Sequence, residues 1–163
     1  MNGARPRLVR RARSRRLALA AVTLLVAPAA CTTPEQAPVG MVVARPYYVL
    51  PAGRSPAAIY LTITNRTAVA DTLTAIECDA GLMVVLHGAM PKMETLTDLA
   101  IAPGETLRLA PGARHGMVAA PRPTIMAGDS VLVTLRFARA GAVLVRAAAI
   151  GYADVDTATA LRE

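Results

Sequence analysis

Two segments of this chain alternate apolar and polar side chains so strictly that each admits one backbone. In Ala58-Ile59-Tyr60-Leu61-Thr62-Ile63-Thr64-Asn65, Ile59, Leu61 and Ile63 fall on one side and Tyr60, Thr62 and Thr64 on the other. Further on, Val131, Val133, Leu135 and Phe137 oppose Leu132, Thr134 and Arg136. A period of two is that of a half-buried strand; a helix would scatter these side chains around its axis. Turn signals recur at short intervals: Pro51-Ala52-Gly53, Asn65-Arg66-Thr67, Ile101-Ala102-Pro103-Gly104-Glu105, Pro111-Gly112, Ala127-Gly128-Asp129 and Ala140-Gly141. Gly, Pro, Asn and Asp at such places supply the φ values that tight turns require. Between the turns the pattern predicts strands over 42–50, 58–65, 71–77, 82–87, 92–96, 106–109, 115–119, 131–137 and 143–149. The 92–96 strand is expected to return from 82–87 through a hairpin tip at 88–91. About nine short strands and no helix after residue 40 predict an all-β, antiparallel Greek-key β-sandwich. The last dozen residues read as a frayed tail.

Charge separates the first residues from this domain. The net charge of +7 suggests nucleic-acid binding until it is located. Seven arginines lie within residues 1–16, and from residue 31 onward eleven basic residues balance eleven acidic ones. The domain is therefore neutral, and the basicity says nothing for a nucleic-acid partner. A cationic segment followed by the 14-residue apolar run Leu17 to Ala30 reads as an export signal, too short to span a bilayer comfortably. Ser14-Arg15-Arg16-Leu17 resembles a twin-arginine signal, and the small residues before Cys31 resemble a bacterial lipobox. Lipidation at Cys31 and plain cleavage after Ala30 are both compatible with the segment. Residues 31–40, rich in Thr, Pro and Ala, read as a tether. The domain is predicted over 41–150 with a tail over 151–163, facing the periplasm. With Cys31 assigned to the anchor, Cys78 stands alone, and its apolar strand setting fits an inert thiol better than a metal ligand.

The chain has two histidines, and each has a methionine a few residues downstream. His115 and Met117 are two apart, so on a strand both project from one face. His87 ends one predicted strand and Met93 stands near the start of the next. Imidazole nitrogen and thioether sulfur are neutral donors whose softness suits Cu(I), while Mg²⁺ and Ca²⁺ want oxygen. Zinc seldom takes Met, and a type-1 electron-transfer copper needs a thiolate, which neither histidine has nearby. The same residues also fit blander roles. A surface His need bind nothing, and Met83, Met90 and Met126 could fill the core. No Ser/His/Asp or Cys/His constellation for catalysis is apparent, and Asp129 reads as a turn cap.

The spacing resembles that of the PCuAC-type (DUF461) periplasmic copper chaperones: His, Met, twenty-one residues, then His-x-Met. Met93 and His115 have twenty-one residues between them, and Met117 completes His-x-Met. Ala44-Arg45-Pro46, the 58–65 strand, Asp71-Thr72-Leu73, Ala80-Gly81, Leu109-Ala110-Pro111-Gly112 and Gly128-Asp129-Ser130-Val131 also resemble the family in place. The resemblance covers roughly residues 41–149. It implies a cupredoxin-like sandwich that binds Cu(I) through His87, Met93, His115 and Met117. It also implies delivery toward the CuA centre of cytochrome oxidase, alongside a thioredoxin-like metallochaperone, without enzymatic activity. The chain departs from the family in one place. Only Gly88 to Lys92 separate His87 from Met93, about five residues fewer than usual, which leaves Met90 as a substitute ligand. The short connection also motivates a second expectation, an envelope interaction module that has lost copper delivery.

Overall fold

A computed structural model describes residues 40–53 and 55–160. The export signal, most of the tether and Cys31 lie outside the described residues. Ten strands form: β1 Met41–Val49, β2 Ala57–Asn65, β3 Asp71–Cys78, β4 Met83–His87, β5 Thr95–Leu96, β6 Leu99–Ile101, β7 Thr106–Leu109, β8 His115–Ala119, β9 Ser130–Phe137 and β10 Gly141–Ile150. They hydrogen-bond in the order β5-β4-β8-β2-β1-β10-β9-β3-β6, with β7 also on β2, so one sheet curls nearly closed into a cupredoxin-like sandwich.

The two alternating segments become the walls of the core. In β2, Ile59, Leu61 and Ile63 are buried while Tyr60, Thr62 and Thr64 are half-exposed. In β9, Val131, Val133, Leu135 and Phe137 turn inward. Each fully buried aliphatic side chain of this kind contributes about 1.5–3 kcal/mol relative to exposure. Two polar side chains join them, and both are satisfied. Asn65 donates to the Val69 and Ile101 carbonyls (2.8 and 3.0 Å) and accepts from Thr67 N–H (2.9 Å), so it locks the β2–β3 turn. Asp71 accepts from the backbone N–H groups of Thr72, Arg139 and Ala140 (2.7, 2.9 and 2.8 Å), tying β3 to the β9–β10 turn.

The structure corrects the sequence expectations in five places. β1 pairs with β10 in parallel, so the sandwich is mixed and not wholly antiparallel. The connection between those strands spans most of the domain, which leaves their relative direction free of any hairpin constraint. Leu99–Ile101 forms an unforeseen strand against β3, too short to show a period. The return strand predicted at 92–96 shrinks to Thr95–Leu96, so His87 lies opposite Thr95 and not Met93. Residues 152–160 are no frayed tail: a 3₁₀ turn at Tyr152–Asp154 leads into a helix, α1 Val155–Ala160, with Val155 buried. Finally, Met83, Met90 and Met126 are all more than half exposed and fill no core.

Candidate metal centre

β4 and β8 run antiparallel in register, with His87 directly opposite His115, Val85 opposite Met117 and Met83 opposite Ala119. β8 presents Gly116 and Val118 to the core, so His115 and Met117 fall together on the other face. The strand geometry expected for His-x-Met is therefore present. Across the β4–β8 ladder the two imidazoles lie nearly parallel, 20° apart in plane with centroids 5.8 Å apart.

Backbone carbonyls orient both rings. His87 Nδ1 lies 3.0 Å from the Met93 carbonyl oxygen, and His115 Nδ1 lies 2.9 Å from that of Ala113. A carbonyl oxygen only accepts, so each Nδ1 must carry the proton. In each neutral ring the Nε2 lone pair is then free for a metal, the arrangement by which second partners set the tautomer of ligating histidines.

The shortened connection acts through Met93. Met93 is a non-glycine residue at φ 45°, in the left-handed region. Its N–H donates to the Ala89 carbonyl (3.2 Å) while its own carbonyl accepts from His87 Nδ1–H. The loop is thereby folded back on β4, and Met93 lines one cavity together with His115 and Met117, whereas His87 is not one of that cavity's lining residues. That cavity, about 260 Å³, also has walls from Ala58 and Tyr60 of β2, from Leu50 and Pro56, and from Tyr152. Met90, the substitute, is 60% exposed and does not line it. His87, Met93, His115 and Met117 are all half-buried. Such a position removes bulk water from a bound ion yet leaves it within reach of a partner.

Tyr60 and Tyr152 were not identified from the sequence. Tyr60 makes an edge contact with His115, its ring centroid 6.5 Å away. Burial and, secondarily, the Tyr152 phenol push its hydroxyl above the ordinary tyrosine value, so it stays protonated and neutral beside the cavity. The alternation of β2 did put Tyr60 on the outer face, but no sequence signal says that β2 neighbours β8. Cys78 ends β3 beside the start of β4, at the far end of that strand from His87, and its half-buried thiol is pushed up by burial. It offers the site no thiolate. Asp129 caps its turn by accepting from Met126 N–H (2.8 Å). Among the described residues no three His, Cys, Asp or Glu side chains cluster as metal ligands.

A family model for LpqE-like lipoproteins matches residues 36–149. No curated protein matches the sequence. Among solved structures, the apo PCuAC domain from PmoF1 is 26% identical with a TM-score of 0.63, covering 72% of this chain and 99% of that domain. The copper-bound PCuAC domain from PmoF2 is 23% identical with a TM-score of 0.61, covering 72% and 98%. The solution structure of Cu(I)-DR1885 from Deinococcus radiodurans is 22% identical with a TM-score of 0.54, covering 68% and 75%. The two likenesses under 25% identity concern the fold.

Proposed function

The chain belongs to the LpqE-like family, of PCuAC type, and from that membership we propose that it is a copper chaperone of the cell envelope. The observation that carries the reading is the pair of imidazoles stacked across β4 and β8, with His115 sharing one cavity wall with Met93 and Met117. Related domains carrying copper support it. His87, Met93, His115 and Met117 hold Cu(I) as cargo through four neutral donors. Neutral ligands stabilise the soft monovalent ion without trapping it as a thiolate set would. Transfer proceeds by ligand exchange, with an acceptor's donors replacing the half-buried thioethers one at a time. Protons compete for Nε2, so release eases with acidification. The acceptor we favour is the CuA site of cytochrome oxidase, reached with a thioredoxin-like metallochaperone. The protein acts as a carrier, not an enzyme, and works after export, anchored through Cys31.

The alternative of an interaction module without copper delivery drew on the shortened His87–Met93 connection. That connection nevertheless leaves Met93 lining the cavity of His115 and Met117, so the copper reading is preferred. Titration of the exported domain with Cu(I) against a chromophoric Cu(I) chelator tests it. His87→Ala, His115→Ala should weaken binding about 100-fold or more, since even outer partners of metal ligands are worth about 10–100-fold. Unchanged competition by the double variant would remove the proposal.

A further inference from the structure

A second cavity of about 260 Å³ opens on the outer surface of β1, β2 and β7, on the far side of Tyr60 from the metal centre. Arg45, Tyr47, Tyr60, Arg108 and Leu109 line it, with Ala158 of α1. Pairing explains how they meet. Ala44, Thr62 and Arg108 form one row across β1, β2 and β7, and Tyr47 and Tyr60 form the next row across β1 and β2. Between those rows β1 holds one residue too many, a bulge containing Arg45. Bulges re-aim side chains. Arg45 adopts φ 52°, a left-handed conformation that glycine takes freely and that costs other residues about 1–2 kcal/mol. The chain therefore places an arginine where local backbone preference favours glycine.

Neither guanidinium has a hydrogen-bonding or ion-pair partner among the described residues. Glu94 lines a neighbouring cavity with Arg108 and makes no ion pair with it. Two exposed arginines beside two half-buried tyrosines suit an anion with a flat apolar body. Arg recognises planar carboxylates through a two-pronged hydrogen-bonded fork, and aromatic faces accept a flat apolar body. We propose that this cavity binds a small organic carboxylate, with Arg45 and Arg108 on the carboxylate and Tyr47 and Tyr60 against the body. A bare phosphate would leave those apolar walls unused. The site is independent of copper, although Tyr60 gives the two cavities a shared wall.

The test uses the whole metal-free chain and benzoate as probe, followed by amide NMR shifts and calorimetry. Benzoate should saturate with a dissociation constant of about 1 mM or tighter, moving the Tyr47 and Tyr60 resonances. Benzyl alcohol, which lacks the charge, and inorganic phosphate, which lacks the body, should each bind about tenfold or more weakly. Arg45→Gly keeps the bulge and suits its φ, so it should fold with an equal or higher Tm while losing about tenfold in benzoate affinity. Arg108→Ala should lose a similar factor, and His87→Ala, His115→Ala should lose none. The proposal is overturned if the Arg45→Gly, Arg108→Ala protein binds benzoate like wild type. It is equally overturned if either control ligand binds as tightly, if shifts map elsewhere, or if benzoate fails to saturate.

Discussion

Met90 and Met93 have the same side chain three positions apart, and their surroundings assign them different work. Met90 is mostly in solvent, whereas Met93 is half-buried on the cavity wall and its carbonyl fixes the His87 ring. Met93→Ala is expected to lower Cu(I) affinity about 10–100-fold, with Met90→Ala within about twofold of wild type in the same chelator competition. The reverse order would reassign the ligand. Asp71 sets a second residue-scale expectation. Burial works against its charge, but the N–H donors of Thr72, Ala140 and Arg139, with the Arg139 charge, outweigh it and hold the carboxyl below its usual range. A carboxyl lowered on folding contributes stability above its unfolded value, about 3.9, and that stability is lost as pH falls through the lower folded value. Asp71→Asn should therefore destabilise by about 1–3 kcal/mol at neutral pH. It should also flatten the loss of stability below about pH 4, as read from urea unfolding at several pH values. Parallel acid profiles for variant and wild type would exclude Asp71 as a cause.

At the scale of the element, β8 carries His115 and Met117, and its spacing from β4 and β2 depends on Gly116. A Cβ there would stand 3.0 Å from Val84 Cγ1 and 3.3 Å from Ile59 Cβ. Val84 can turn aside, but the Ile59 Cβ is fixed to the β2 backbone, so β8 must shift. Gly116→Ala is expected to cost about 1–3 kcal/mol, the usual price of overpacking. Because His115 and Met117 flank it, Cu(I) affinity should fall as well. Thermal denaturation and the copper titration should move together; a loss of stability with full affinity would show that the strand tolerates the shift.

For the whole molecule, the arginine-rich start and the neutral remainder differ sharply in charge. In the proposed reading the first directs export and the second, with no strong field of its own, carries the copper. In the proposed reading, His87 and His115, paired across β4 and β8 of a nearly closed sheet, stand where a partner can reach them. The mature chain is expected to begin at Cys31 with lipid attached and to sediment with membranes. Intact-mass measurement of the N-terminal peptide checks this, and an unmodified Cys31 on a soluble protein would contradict it.

The sequence by itself determined the strands with strong alternation, because Ile59, Leu61 and Ile63 or Val133, Leu135 and Phe137 can share one face only on an extended chain. It determined the common face of His115 and Met117 for the same reason. Tertiary structure alone decided what stands beside what. Nothing local in 95–101 marks two strands of two and three residues, since so few positions show no period. The parallel β1–β10 pair joins residues about a hundred positions apart, beyond any turn signal. The helix after Tyr152 is too short to display an amphipathic face, yet burial of Val155 holds it. The two histidines came to face each other only when β4 and β8 paired in register. There a left-handed Met93, which no spacing announces, supplied a carbonyl for His87 and part of the wall of the His115 cavity.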